Sequence, residues 1–425
     1  MGRGRRAFHV QAYGAALGYL ADTLLGDPGR GHPVAAFGRA AAALERRLWH
    51  DHRAWGALHT VACAGGAAAL GGLWQAAVRS AGRGARSTDV LGQAVVAWSV
   101  LGGTGLAREA RAVAAALEAG DLDLARERLP RLCGRDPHRL DAEGVARAVV
   151  ESVAENTSDA VVGALVWGAL AGVPGLAGFR AVNTLDAMVG HRSPRHRRFG
   201  WAAARLDDAA GLPGSRLTAA LAVLAGPDPR GALRAWRADA GRHPSPNAGP
   251  VEAAFAGALG VRLGGTLSYA GRTEHRPVLN APGRAVRRTD IERAVRLSRR
   301  VGLLALAVTG VAGAAGRAVA RGGSAGLARD LPDAGEPARR GKPVRREEPA
   351  PPGGPAGRGR GERNERKGGR GPGRGRDEQG GRQGGTGPGE RSGPQSGPGP
   401  GRARGGRSER RRGFGGGLGR GESGW

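Results

Sequence analysis

Four stretches of the chain run without a formal charge, and the charged residues crowd between them. They are residues 56–78 (GALHTVACAGGAAALGGLWQAAV), 90–107 (VLGQAVVAWSVLGGTGLA), 160–179 (AVVGALVWGALAGVPGLAGF) and the shorter 301–316 (VGLLALAVTGVAGAAG). About 20 apolar residues span a bilayer core, so this spacing predicts helices that cross a membrane. Their Ala and Gly content suits close helix–helix packing there, although buried helices of a soluble all-α protein would leave the same pattern. The apolar N-terminal segment is interrupted by His9, Gln11 and Tyr13 and reads as a first helix of the mature chain rather than a signal peptide.

Residues 106–129 and 141–159 carry apolar side chains near helical spacing, with Arg and Glu on the other face, which predicts amphipathic helices. No stretch alternates with period two, so no strand is expected. The Arg-rich connections RRLWHDHR and HRSPRHRR resemble loops retained on the cytoplasmic side. From about Gly322 the composition turns to Gly, Pro, Arg, Glu, Ser and Gln. A segment so poor in apolar side chains cannot bury enough surface to offset its ordering entropy. The fold class expected is all-α: a polytopic membrane helical bundle over residues 1–325, with amphipathic helices in its connecting loops, and a disordered tail over 326–425.

Charge changes this picture little. The 425 residues include 65 Lys and Arg and carry a net charge of +28. Residues 331–425 hold 22 basic and 11 acidic residues, so they supply +11 of it and leave +17 to the rest. Every basic residue before Lys342 is Arg or His, beside 79 Gly and only 4% aromatics. That uniformity looks like GC-rich coding, so nucleic acid is not an expected partner, and the RGR and GGR runs of the tail are read as a solvated extension. Cys63 and Cys133 form neither a zinc pattern nor a disulfide framework. No G-x-x-x-x-G-K-[ST] loop occurs. A nucleotide would therefore depend on Arg side chains, helix N-termini and Mg²⁺.

The densest polar cluster is ESVAENTSDA, residues 151–160. On a helix Glu151, Glu155 and Asp159 share one face, with Asn156 beside them, immediately before the uncharged stretch 160–179. Three like charges together call for a cation or a cationic substrate. Next comes RAVNTLDAMVGHR (180–192), with Asn183 and Asp186 three apart. In RLDD (205–208) Asp207 and Asp208 adjoin Arg205, and Arg216 follows. Such hard oxygen donors suit Mg²⁺. HPSPNAG (243–249) is a Pro-punctuated loop with Ser245 and Asn247, suited to close approach of a ligand. Asp27 and His32 sit in a turn after the first helix.

Five of these stretches, in this order, resemble the CobD/CbiB family, the adenosylcobinamide-phosphate synthases of cobalamin biosynthesis. They are GYLADTLLGDPGRGHPVAAFGR (18–39), LCGRDPHRLDAEGVARAVVESVAENTSDAVVGAL (132–165), RAVNTLDAMVGHR (180–192), FGWAAARLDDAAGLPGSRLTA (199–219) and SPNAGPVEAAFAGALGVRLGGTLSYAG (245–271). The likeness covers roughly residues 10–320. It implies a multi-pass inner-membrane enzyme joining adenosylcobyric acid to (R)-1-amino-2-propanol phosphate, or to aminopropanol, through an amide bond, with ATP and Mg²⁺ and no zinc. Other membrane proteins of cobalamin assembly are implied neighbours.

On this reading the carboxylate is phosphorylated and the amine attacks the acyl phosphate. Glu151, Glu155, Asp159, Asp207 and Asp208 are the implied catalytic set, with Glu155, Asp159 and Asp208 on the metal. Asp27, His32, Arg135, Asn156, Asn183, Asp186, Arg205, Arg216, Ser245 and Asn247 are implied to bind substrate. The chain departs from the family pattern in two places. Ala209, Ala210 and Gly211 followed by LPGSR stand where the family reads Asn and then Ile-Pro-Ala-Arg, and Pro137 replaces a Thr. A small-molecule transporter, or a non-catalytic membrane subunit that presents a corrinoid, would share the apolar pattern and the buried acids.

Overall fold

The computed structural model describes residues 3–27, 31–81, 85–134, 136–191, 193–269 and 272–327. All of these belong to one compact unit; a second, Asp333–Arg420, lies outside the described residues. The expected tail falls there too, except for its first two residues, which end the last helix.

Helices dominate: α1 (Arg3–Leu25), α2 (Pro33–Leu48), α3 (Arg53–Thr60), α4 (Gly66–Ser80), α5 (Ala85–Val100), α6 (Gly103–Glu118), α7 (Leu122–Arg128), α8 (Ala142–Thr157), α9 (Gly163–Ala171), α10 (Val173–Leu185), α11 (Trp201–Ala225), α12 (Pro229–Asp239), α13 (Ala248–Leu259) and α14 (Arg288–Leu327). Between α13 and α14 stands an antiparallel hairpin, β1 (Leu263–Tyr269) and β2 (Arg272–Leu279), with a bulge between Leu263 and Gly265. The expectation of an all-α chain is corrected by this hairpin. Its strands carry few apolar residues, and Gly264 and Gly265 adopt φ of +82° and +86°, so no period-two pattern exists to read. Backbone pairing holds it instead.

All twelve residues of α13 are buried, Glu252 among them, as expected of a helix whose other positions are apolar or small all round. Against it pack α8, α11, α12 and the hairpin. The amphipathic segment 141–159 forms as α8. It begins where Asp141 accepts from the Gly144 N–H at 2.8 Å, a cap contributing about 1 kcal/mol. The segment 106–129 forms two helices. Gly120, at φ +75°, ends α6, and Asp121 caps α7 by accepting from Leu124 N–H at 2.9 Å.

Two helical runs among the described residues are long and apolar enough to cross a membrane, Arg53–Ser80 and Ser87–Glu118. The third charge-free stretch, 160–179, does not make one. A π-helical turn at Ser158–Val162 leads into α9, and Gly172, at φ +69°, breaks the chain before Pro174 in α10. The helical part of the uncharged stretch before that break, Ala160 to Ala171, reaches only about 18 Å at 1.5 Å per residue. The expected polytopic bundle is thus reduced to a helical body with two candidate spans among the described residues.

Candidate functional site

α11 is the base of the site. Pro213 lies inside it and offers no N–H to the preceding turn. Side chains bind the carbonyls on either side of the one it leaves free: Trp167 Nε1 donates to the Ala210 carbonyl at 2.9 Å, and Asn247 Nδ2 donates to that of Asp208 at 2.9 Å. The other end of the Asn247 amide accepts from Ser215 Oγ at 3.0 Å and from Arg216 Nη1 at 3.1 Å, and Arg216 also reaches the Pro246 carbonyl at 2.8 Å. The loop before α13 is thereby tied to the helix that carries Asp207 and Asp208. Gly211 makes room for this tie, because a Cβ there would collide with the Asn247 carboxamide.

A pocket of about 450 Å³ opens over this base. Its walls include Glu155 and Asp159 from α8 and the following π-helical turn, Arg180, Asn183 and Asp186 from α10 and the turn after it, and Asp207 and Asp208 from α11. The loop Pro130–Gly134, Gly102 and Leu106 near the start of α6, and Ser245, Asn247, Ala248 and Val251 complete it. Five carboxylates thus share one cavity. Burial, reinforced by Asp186, Asp208 and Glu155, raises Asp207 to about 7, while a hydrogen bond from Asn183 opposes the rise. Burial, then Asp208 and Glu155, raise Asp186 to about 6. Asp159 is raised well above the usual carboxylate range by burial and by Asp207, Glu155 and Asp186, with Arg180 partly offsetting them. These are the conditions under which a carboxylate can exchange protons near neutrality.

Of the sequence-predicted residues, Glu155, Asn156, Asp159, Asn183, Asp186, Asp207, Asp208, Ser245 and Asn247 line this pocket. Glu151 does not. It is buried, and its Oε1 accepts from the Gly264 N–H at 2.7 Å, so it anchors the hairpin to α8. Removing that charge-assisted bond in Glu151→Ala is expected to lower stability by about 1.5–3 kcal/mol, read from the denaturation midpoint of the solubilised protein. Unchanged stability with lost activity would return Glu151 to the chemistry.

Arg205 is exposed and pairs with Asp208 at 3.6 Å. Arg216 holds Asn247 from outside the pocket wall. Asp27 and His32 lie beyond the wall and reach the site through Arg180, whose charge Asp27 feels along with those of His32 and Arg108. His32 Nδ1 caps α2 by accepting from Val34 N–H at 3.2 Å. Arg135 lies outside the described residues. Arg180 itself was not singled out by the sequence reading. Its one signal was position: it is the first charge after the 20-residue uncharged run 160–179.

Among the described residues, no three Asp, Glu, His or Cys groups stand together as ligands of one metal ion. Glu155, Asp159 and Asp208 share the pocket without forming the expected three-ligand set. Mg²⁺ in phosphate chemistry needs only one or two carboxylates, its remaining positions being filled by water and phosphate oxygens. The donor chemistry of this wall fits that mode.

The CobD/Cbib protein family model matches residues 15–298. The chain belongs to the CobD/Cbib family. It is 53% identical over 296 residues to the cobalamin biosynthesis protein CobD of Mycobacterium tuberculosis (strain H37Rv), covering 69% of this chain and 92% of that one. The CobD proteins of Chromobacterium violaceum and Rhizobium meliloti are 44% and 40% identical over 283 and 300 residues, covering 66% and 65% of this chain and 90% and 89% of theirs. No solved structure matches. The CobD/Cbib match contains the whole carboxylate pocket and ends within α14.

Proposed function

We propose that this chain is an amide-forming enzyme of cobalamin biosynthesis, joining a carboxylate arm of adenosylcobyric acid to (R)-1-amino-2-propanol phosphate or aminopropanol. The observation that carries the reading is the cavity in which Asp207, titrating near 7, stands among four further carboxylates. An ammonium group must lose a proton before its nitrogen can attack a carbonyl. A general base works best when its pKa lies near the operating pH, and Asp207 meets that condition. The cluster of acids around it attracts the cationic amine. At about 450 Å³ the cavity suits the amine and one carboxylate arm, with the corrin ring held at its mouth.

ATP would supply activation of the otherwise unreactive carboxylate, with Mg²⁺ held by one or two of Glu155, Asp159 and Asp208. Asn247 and Ser215, through their fixed amide and hydroxyl contacts, keep α11 and its two acids in position.

A membrane setting belongs to the same proposal. Only 17% of the most apolar window of Arg53–Ser80 is buried, whereas the core helix of a soluble protein would be mostly covered. Leu58, Val61, Leu70 and Leu73 on this run are exposed, as are Leu17, Leu20 and Leu24 on α1 and Leu303, Leu304 and Val308 on α14. Lipid would cover them.

The experiment supplies membranes containing the full chain with adenosylcobyric acid, ATP, Mg²⁺ and aminopropanol phosphate. An amide-linked corrinoid is the expected product, with the protein retained in the membrane pellet after alkaline extraction. A well-folded chain that makes no such product, with either amine, would defeat the reading.

A further inference from the structure

Arg180 is buried, with 7% of its surface exposed, and it lines the carboxylate pocket. Its side chain makes a single hydrogen bond among the described residues, a long one of 3.5 Å from Nη1 to Asn183 Oδ1. Its Nε is buried and has no partner among the described residues. Asp159 and Asp27 act on it through space, but neither forms an ion pair with it among the described residues.

A guanidinium keeps its charge in proteins and presents five N–H donors in a planar fork. Burying one without a matched acceptor is costly. The arrangement is that of a group kept for a ligand, and the acceptor that fits the fork is a tetrahedral or planar oxyanion held by two parallel hydrogen bonds. Asn183 gives the second half of the argument. It accepts from Arg180 on one side and hydrogen-bonds the Asp207 carboxylate on the other. A buried cation and a half-buried acid are therefore separated by one carboxamide. The complementary molecule is a small zwitterion with a phosphoryl group and an ammonium group a few bonds apart.

We infer that Arg180 is the residue by which the pocket selects a phosphorylated amine, gripping its phosphate while Asp207 receives its ammonium group. This rests on the amide-forming reading above and adds to it the residue that sets specificity. Phosphate oxygens could also come from the nucleotide, so the test must separate the two sources.

Membranes carrying the full chain as wild type, Arg180→Lys or Arg180→Gln are assayed with aminopropanol phosphate, with unphosphorylated aminopropanol, and over a range of ATP concentrations. For Arg180→Gln, the kcat/KM preference for the phosphorylated amine should fall about 100-fold. Lys, a point charge without the fork, should recover only part of it. A preference held within about threefold of wild type, or a rise confined to the KM for ATP, overturns the assignment. A second measurement covers poor folding and stands apart from turnover. Inorganic phosphate should raise the unfolding temperature of the solubilised wild type but not of Arg180→Gln, and equal protection of both also overturns it. If the wild type makes no amide, the enzymatic reading fails, while loss of phosphate protection in Arg180→Gln would still mark Arg180 as an anion site.

Discussion

Asp207→Asn is expected to cut amide formation by about 10²–10⁴-fold and at the same time to make the protein more heat-stable above neutrality. The first half follows from the role of base. Asn can still accept a hydrogen bond from Asn183 but takes up no proton. The second half follows from linkage. Asp207 titrates at about 7 and Asp186 at about 6 in the folded protein, against about 3.9 for an unfolded Asp. Between those values the folded state binds more protons than the unfolded one, so stability falls as pH rises. The contribution of protonated Asp207 is fully present below about pH 4 and is lost as pH climbs through about 7. Asn mimics the protonated form at every pH. The variant should therefore unfold roughly 2–4 °C above wild type near pH 8, with the gap closing towards pH 4. Wild-type turnover should rise with pH through about 6 to 7, as the acids ionise. Thermal scans of the solubilised chain at several pH values, paired with turnover in membranes, read both halves. A variant within tenfold of wild-type activity would remove Asp207 as the base. One less stable than wild type near pH 8 would remove the electrostatic strain.

How the site could be read from sequence depended on whether its parts were local. The spacing of four between Glu155 and Asp159 brings both into the carboxylate pocket, because they lie at the end of α8 and the start of the π-helical turn after it. The same arithmetic put Glu151 on the acidic face, and there it fails. Periodicity gives the angle of a side chain about its helix, but not which neighbour meets it, and Glu151 meets the Gly264 amide 113 residues away. The stretch 160–179 looked like one span because uncharged composition carries no signal for a break. Gly172 and Pro174 carry the one signal for a break. Arg180 was hidden by the abundance of Arg in a chain with 65 basic residues. Its burial depends on α10 facing the pocket, a property of the folded bundle alone. Asn247 was found as a loop residue suited to a ligand, yet both ends of its amide bind protein, which makes it a brace for α11.

The brace matters because α11 also meets the opposite wall through a contact with almost no tolerance, and Gly214→Val should break it. A Cβ at Gly214 would stand 2.8 Å from Gly163 Cα and 3.1 Å from Gly163 N. Those are backbone atoms, so no side chain can swing aside. Gly163 is itself tightly packed, since a Cβ on it would collide with the Phe179 ring and approach the Ser158 carbonyl. The crossing joins the helix of Asp207 and Asp208 to the segment that begins at Ser158 and bears Asp159. Even a methyl group would push the two carboxylate walls apart. Overpacking a tight core costs about 1–3 kcal/mol and sometimes more. Gly214→Val belongs at or above the top of that range, and Gly214→Ala within it. Gly66, the first residue of α4, provides the contrast, because a Cβ there meets nothing within 4 Å. Gly66→Ala should be neutral or stabilising by up to about 1 kcal/mol from helix propensity. Unfolding temperatures of the two Ala variants decide the matter. If Gly214→Ala is as stable as Gly66→Ala, the walls of the pocket are not held at this crossing. If it falls by several degrees and turnover falls further than the loss of folded protein explains, the spacing of the acids across the crossing is part of what the site needs to work.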